Sequence, residues 1–387
     1  MSIKIPQFVS EAIKILENGG FEAYIVGGCV RDILMDIVPH DYDITTNATP
    51  YEIKSLFQRT VDTGIKHGTV TVLIGDRPIE ITTYRTEGDY SDNRRPNNIE
   101  FVTDLKTDLS RRDFTVNTIC YNENTGFVDL LGGMDDIKNR TLKTVGNPEE
   151  RYKEDALRIL RLYRFAATLN FKIDEKTHLD ALGCSVLVRN VSRERIAEEL
   201  KKAVLGNNIR SLEPLINADS LGFLGIKSCG NLSNISKLSQ NIDLRLFAFL
   251  SLCDCNVSDA ARELKLSSKT QTYISSLSNL ISQKPPENKS EIKHMLNLYD
   301  LEIFEDYLEF LTEIKNFNCK KIILQLNEIR ENNEPYKISH LALSGNDILS
   351  LGYADKEIGR TLDTLLKNVI DNPNLNQKES LMKILNK

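Results

Sequence analysis

Along the first 140 or so residues, apolar positions come in short runs and alternations broken by glycine-rich turns. Residues 21–26 read as a strand running into Gly27-Gly28, residues 30–35 as a short helix, and residues 41–44 as a second strand. Residues 69–74 and 78–84 predict a hairpin around Gly75-Asp76-Arg77, with later strands at 99–102 and 127–129. After about Thr144 the period changes to that of helices, first over 149–169, again over 192–205, and through most of the remainder. Ser192 followed by Glu194 marks a helix start at the serine. Residues 283–288, with Pro285-Pro286, form the clearest linker, and 331–335 a second interruption. There is no internal repeat. The expected organisation is an α/β (α+β) head over 1–143, a helical neck over 144–206, a helical body over 207–282 and a helical tail over 283–387.

Composition changes this picture little. At 387 residues the chain exceeds one compact core, so several domains are expected. With 41% hydrophobic and 27% charged residues it is an ordinary globular composition, and no apolar run is long enough to span a membrane. Met1-Ser2-Ile3-Lys4-Ile5-Pro6 lacks the apolar stretch of a signal peptide, so a cytoplasmic protein is expected. Seven scattered cysteines and five dispersed histidines fit neither a zinc nor a redox motif. Any catalytic metal should therefore have oxygen ligands.

Charge adds a distinction. The net charge of −6 argues against a uniformly basic RNA-binding surface, but local patches exist. Residues 138–164 hold eight Lys or Arg against four acids, and 189–210 hold six against three.

The candidate chemistry begins at Asp41 and Asp43. Alternate side chains of a strand share a face, so two carboxylates would stand side by side with Tyr42 turned away. Two such anions repel unless a cation lies between them, and Mg²⁺ suits a site of one or two carboxylates completed by substrate phosphates. Alone, the pair is weak evidence, since a solvated turn explains most such instances. Its context is a strand, then Gly27-Gly28, then a helix, which aims backbone N–H groups at an approaching anion. Arg31 stands ready for a charge-assisted phosphate contact. Glu80 is a third carboxylate on an alternating strand, sharing a face with Thr82 and Tyr84. If buried it needs a partner, which is either the metal site or an arginine.

Asp155 and Arg158 lie three apart in the predicted 149–169 helix and so are neighbours on its surface. A carboxylate only accepts hydrogen bonds and a guanidinium only donates. Cytosine and adenine both offer an amino donor beside a ring-nitrogen acceptor, whereas uracil and guanine offer the reverse. One Asp–Arg pair can accept the first two bases and leave the others unpaired. Arg161 and Arg164 continue in steps of three, but each step drifts by roughly 60°, which carries Arg164 nearly opposite Asp155.

Five signatures occur in order: Gly27-Gly28-Cys29-Val30-Arg31-Asp32 with Asp41-Tyr42-Asp43; Asp92-Asn93-Arg94-Arg95-Pro96; Arg111-Arg112-Asp113-Phe114-Thr115-Val116-Asn117; Glu154-Asp155-Ala156-Leu157-Arg158; and Ser192-Arg193-Glu194-Arg195-Ile196. The series resembles the polymerase-beta-type nucleotidyltransferases, more narrowly the class II CCA-adding enzymes and bacterial poly(A) polymerases. It covers roughly residues 20–206 and extends more weakly to the C-terminus.

The resemblance implies an enzyme that adds CCA to the 3′ end of tRNA from CTP and ATP, with Mg²⁺ held by Asp41 and Asp43. It gives Asp155 and Arg158 the templating role, with Arg161 and Arg164 around the nucleotide. Arg164 has two further uses open to it, a triphosphate or RNA contact and an internal salt bridge. It sets Arg112 against phosphate and Asp113 against the ribose hydroxyls, the alternative being a solvated Arg–Asp pair. Phe114 reads as core. The polar 86–98 segment suits a mobile loop, and its Asp92, Arg94 and Arg95 are the residues expected to switch the site from C to A addition.

The close rivals are poly(A) addition and partial CC or A addition; the distant one is a non-catalytic tRNA-binding protein, against which the retained Asp41, Asp43 and Glu80 argue. The chain ends at Asn386-Lys387 without the basic extension that poly(A) polymerases often carry. His40-Asp41 is the only His-Asp dipeptide and lies in the head, which argues against an attached phosphohydrolase. The helical body and tail are expected to grip tRNA by shape and phosphate contacts, with Lys201, Lys202, Lys320 and Lys321 as candidates.

Overall fold

The computed structural model describes residues 3–88 and 99–385, with the side chains of Glu87 and Asp355 left aside. The chain folds as two compact units, Met1–Ser233 with Glu263–Lys265, and Asn234–Arg262 with Leu266–Lys387.

The first unit opens with helix α1 (Gln7–Asn18), which buries Val9, Ala12, Ile13 and Leu16, the i, i+3, i+4, i+7 stripe of an amphipathic helix. Strand β1 (Ala23–Val26) leads through Gly27 into α2 (Gly28–Leu34), and β2 (Asp43–Thr46) follows. Helix α3 (Pro50–Leu56) starts on a capping box in which Thr49 and Glu52 satisfy each other's backbone N–H. Then come β3 (Thr60–Gly64), β4 (Thr69–Ile74), β5 (Arg77–Thr83), β6 (Arg85–Glu87), β7 (Ile99–Phe101), α4 (Leu105–Ser110), β8 (Cys120–Asn122) and β9 (Gly126–Val128).

Seven strands make one sheet in the order β3-β4-β5-β2-β1-β8-β9. Its neighbours run antiparallel except β2 and β5, which are parallel and align Asp43 with Glu80. In β5 the alternation puts Ile79, Ile81 and Thr83 inside and Glu80 in solvent. Tyr84, expected on the same face as Glu80, is fully buried because the strand ends at Thr83. The predicted 69–74 and 78–84 hairpin is present as β4 and β5. The expected strand at 41–44 begins two residues later, at Asp43.

Beyond the sheet follow α5 (Gly133–Lys138), β10 (Thr141–Leu142), α6 (Pro148–Glu154), α7 (Leu157–Leu169), β11 (Lys172–Ile173), α8 (Glu175–Gly183) and α9 (Arg193–Val204), the last starting after Ser192 as expected, though the serine side chain makes no capping hydrogen bond. The single helix expected over 149–169 is therefore two. Asp155 breaks it with an extended backbone (φ −136°, ψ 104°), and its own carboxylate accepts from the Leu157 N–H at 3.0 Å. This is the local side-chain bond by which aspartate competes with helix propagation.

The second unit is helical among its described residues. The linker at 283–288 separates Ser268–Ser282 from Lys289–Leu298, and Lys320–Glu331 ends where the second interruption was expected. Ser344 caps Gly345–Ser350 through a box with Asp347. Among the described residues no helix is long and apolar enough to cross a membrane.

Candidate active site

The sheet register assembles the acids. Asp43 is the first residue of β2, aligned with Val26 of β1 on one side and Glu80 of β5 on the other. Asp41 lies just before the strand, so it does not share a face with Asp43 by strand alternation, as the sequence suggested. The three carboxylates nevertheless line one open cleft of about 530 Å³, together with Phe8, His40, Tyr42 and Arg77. All three acids reach solvent, and none forms an ion pair with a described residue. The arginine partner considered for Glu80 is thus absent among the described residues. Burial of its surroundings pushes the Asp43 carboxyl above its ordinary value, and Glu80 and Asp41 add repulsion while Arg112 opposes them.

This donor set fits a hard divalent cation. Its oxygens are carboxylate only, and the repulsion around Asp43 is what a bound cation would relieve. Among the described residues no three acidic, histidine or cysteine side chains form a complete metal cage. Mg²⁺ does not require one, because substrate phosphates and water fill its shell.

On the β1 side, Gly27 adopts φ 85° and ψ −133°, a backbone that side-chain-bearing residues avoid. A Cβ there would come 3.3 Å from Arg112 Nη1, so the glycine also lets that guanidinium approach the turn. Arg112 Nη2 lies 3.5 Å from Asp108, and its Nε is buried with no partner among the described residues. A cation with spare donors at a bare backbone turn suits an anion. Arg31 is less free than the sequence implied. It is buried, donating through Nε (2.9 Å) and Nη2 (2.6 Å) to Asp32 and through Nη1 (2.8 Å) to Asn117. A Cβ at Gly28 would lie 3.6 Å from Arg31 Nη2.

A second charged cluster spans α7, α9 and the Arg112-Asp113 turn. Arg161 donates to Asp113 Oδ2 at 2.6 Å and lies 3.8 Å from Glu199, while Arg164 donates to Glu199 at 2.9 Å. The guanidinium groups of Arg31, Arg161 and Arg164 all lie over the Phe165 ring, at 5.2, 5.3 and 3.5 Å. Asp113 also accepts from the Phe114 N–H and from Asn117. Burial pushes its carboxyl up, but Arg161 and these donors win and hold it at about 2. Asp113 is therefore enclosed and occupied, neither solvated nor open to a ribose as it stands. Arg164 has the internal salt bridge that was one of its three expected uses. Phe114 is core.

Asp155 and Arg158 do not pair across a helical turn, since Asp155 lies in the break before α7. Asp155 is held by Arg195 at 2.7 Å, and Arg158 by Glu154 at 2.5 Å and by the Arg151 and Arg111 carbonyls. Because Asp155 lies outside α7, helical spacing does not fix Arg164 opposite it either. Asp92, Arg94 and Arg95 lie outside the described residues; the flanking β6 and β7 pair antiparallel.

Sequence reasoning missed four supports. Glu154 and Arg195 lay inside quoted motifs but were given no role. Glu199 was signalled by an acid among Ile196, Ala197, Leu200 and Ala203, the buried face of α9. Asp108, fully buried and paired with Arg111 at 2.7 Å, gave no such signal.

A family profile described as the poly A polymerase head domain matches residues 23–143. The CCA-adding enzyme of Staphylococcus epidermidis is 36% identical over 395 residues, covering 99% of this chain and 98% of its own. That of Enterococcus faecalis is 34% identical over 403 residues, covering 99% and 97%. Among solved structures, the Bacillus stearothermophilus CCA-adding enzyme in complex with CTP superposes with a TM-score of 0.84 at 26% identity, over 99% of this chain and 98% of that one.

Proposed function

Because this chain belongs to the family of CCA-adding enzymes, we propose that it adds C, C and A to the 3′ end of tRNA from CTP and ATP, releasing pyrophosphate. The observation that carries this reading is the single cleft in which Asp41, Asp43 and Glu80 converge, one strand away from the Gly27 turn and Arg112. Three anions without an ion-pair partner among the described residues, beside a cation at a bare turn, suit a triphosphate and its counter-ion. They do not suit a purely structural domain.

Asp41 and Asp43 would hold Mg²⁺, which when bound offsets the triphosphate charge and makes the RNA 3′ hydroxyl easier to deprotonate. Arg112, with Nε free among the described residues, takes the phosphates over Gly27-Gly28. Arg31 has two N–H groups beyond its bonds to Asp32 and Asn117. The RNA 3′ oxygen bonds to the α-phosphorus as that atom's bond to the bridging oxygen breaks.

Asp155 and Arg158 select the base from fixed positions. Arg195 and the Leu157 N–H take three of the carboxylate's four acceptor sites, leaving one for the amino group of C or A. Arg158 has spent three of its five N–H groups, leaving two for the neighbouring ring nitrogen. Arg161 and Asp113 brace this surface. The head over 1–143 does the chemistry, the neck over 144–206 selects, and the helices of 207–282 and 283–387 hold the tRNA.

The test is incorporation of labelled CTP and ATP, separately and together, into tRNA lacking its 3′ end, with sequencing of the product. Addition of CCA and no more supports the reading. A long A tract would make it a poly(A) polymerase, CC alone or A alone a partial enzyme, and tight tRNA binding without turnover a binding protein.

A further inference from the structure

The cleft has a wall that the reaction above does not use. We infer that Phe8 and Arg77 seat the 3′-terminal nucleotide of the acceptor RNA, placing its hydroxyl for attack. This rests on the nucleotidyl-transfer reading of the cleft.

The sheet sets the two sides of the cleft. Asp43 has β1 on one side, carrying the Gly27 turn with Arg112, and β5 on the other, carrying Glu80. In phosphoryl transfer the attacking and leaving oxygens are roughly in line across the phosphorus. If the leaving pyrophosphate lies on the cationic β1 side, the attacking hydroxyl must arrive over β5. Lining the cleft there are the half-buried Phe8 from α1 and Tyr42, and the exposed Arg77 at the start of β5, beside Thr71 and Pro78. The Arg77 guanidinium lies 5.0 Å from the Phe8 ring centroid, and Phe8 meets Tyr42 edge-on with centroids 6.4 Å apart at 86°. Phe8 and Arg77 also border an adjoining hollow of about 650 Å³, so the pair forms a ridge with open space on both sides.

The plain alternative is that Arg77 on Phe8 simply packs α1 against the β4–β5 hairpin. Two observations weigh against it. Helix α1 is already anchored by Val9, Ala12, Ile13 and Leu16, and Phe8 is only half-buried beside that face. Arg77 is exposed and forms no ion pair with a described residue, so its N–H groups remain available. A flat ring gives an unstacked base a surface whatever its identity, and a guanidinium gives its phosphate a cation, the usual means of holding single-stranded RNA without reading its sequence. The growing end of this substrate changes from one addition to the next, so a sequence-blind seat is what it requires.

The experiment compares wild type, Phe8→Ala, Arg77→Ala and Phe8→Tyr. Steady-state kinetics use tRNA lacking its 3′ end, and CTP binding is measured separately. A third readout is the fluorescence of an acceptor-stem RNA ending in 2-aminopurine, which is quenched on stacking. We expect KM for the RNA to rise about tenfold in each alanine variant, with CTP binding unchanged, quenching lost in Phe8→Ala, and Phe8→Tyr restored to wild type. Unaltered RNA KM and quenching in both alanine variants would overturn the inference. So would loss of CTP binding in Phe8→Ala, which would make Phe8 a prop for α1. A wild type that quenches the probe but adds no nucleotide would instead refute the nucleotidyl-transfer reading and leave the seat standing.

Discussion

In the cleft over the start of β2 and β5, Asp41, Asp43 and Glu80 share space and repel one another, without an ion-pair partner among the described residues. Along α7 and the break before it the opposite holds. Arg158, Arg161 and Arg164 each lie against a carboxylate, and Phe165 spreads beneath three guanidinium groups. Both regions belong to one compact unit and both carry family motifs. The first is an incomplete electrostatic arrangement, stable enough to fold yet improved by a cation. The second is closed on itself, and under the proposed function a nucleotide would meet only the few donors and acceptors its ion pairs leave over. Charge left unpaired advertises a ligand, whereas charge already paired advertises rigidity.

Removing charge from the open cleft should therefore destroy activity and spare stability. We expect Asp43→Asn to lower CTP incorporation by about a thousandfold or more, because metal-assisted charge stabilisation is worth several kcal/mol and about 1.4 kcal/mol is a factor of ten. The same variant should melt no lower than wild type at neutral pH, since it relieves repulsion from Glu80 and Asp41. Retained incorporation would deny the cleft its catalytic role.

The closed cluster should respond in the reverse sense. Glu199 is nearly enclosed, accepts from Arg164 at 2.9 Å and lies 3.8 Å from Arg161. Glu199→Ala leaves Arg164 buried without its counter-charge, which should cost about 3 kcal/mol, read as a lower urea midpoint at unchanged slope. A variant as stable as wild type would mean that water or backbone carbonyls already solvate Arg164.

The difference between the regions also explains what the sequence could disclose. The acids of the cleft were legible because Asp43 and Glu80 sit on short strands whose alternation is local, Asp41 stands two residues ahead of Asp43, and Gly27-Gly28 announces its own turn. The partners of the closed cluster were not. Arg161–Asp113 spans 48 residues and Arg164–Glu199 spans 35, separations at which no periodicity informs. The Asp155 break was hidden because residues 149–169 keep a helical pattern on either side of one aspartate, and only the Leu157 N–H bond shows which way the local competition went. Arg31 looked available from its motif, but Asn117, which holds it, lies 86 residues away.

Acid titration should separate the two regions by sign. Asp113 is held at about 2 against an ordinary 3.8, so its folded form favours the charged state. The stability this contributes is full above the ordinary value and is lost as pH falls from about 4 through about 2, roughly 2 kcal/mol in all. Asp43 is raised, so its folded form favours the proton, and it costs stability as pH rises from 3.8 through its elevated value. Denaturant melts against pH should show Asp113→Asn flattening the acid limb and Asp43→Asn raising the neutral one. Identical profiles for the two variants would erase the distinction between a paired and an unpaired carboxylate.

The smallest expected effect is the most informative about base choice, because it acts where the open and closed arrangements meet. Asp155 is paired with Arg195 yet keeps one acceptor site, and Arg158 keeps two N–H groups beyond Glu154 and the backbone. Asp155→Asn retains the size of the side chain but replaces one acceptor oxygen with a donating amide. It can then satisfy the carbonyl of uracil as well as the amino group of cytosine. The ratio of kcat/KM for CTP over UTP should fall by about tenfold, the order of one hydrogen bond made or left unmade in a buried site. The RNA KM should stay near wild type if the acceptor end approaches over β5, as inferred above, and not over α7. If discrimination survives while turnover falls for both nucleotides alike, Asp155 supports Arg195 and reads no base, and selection must come from other groups around Arg158.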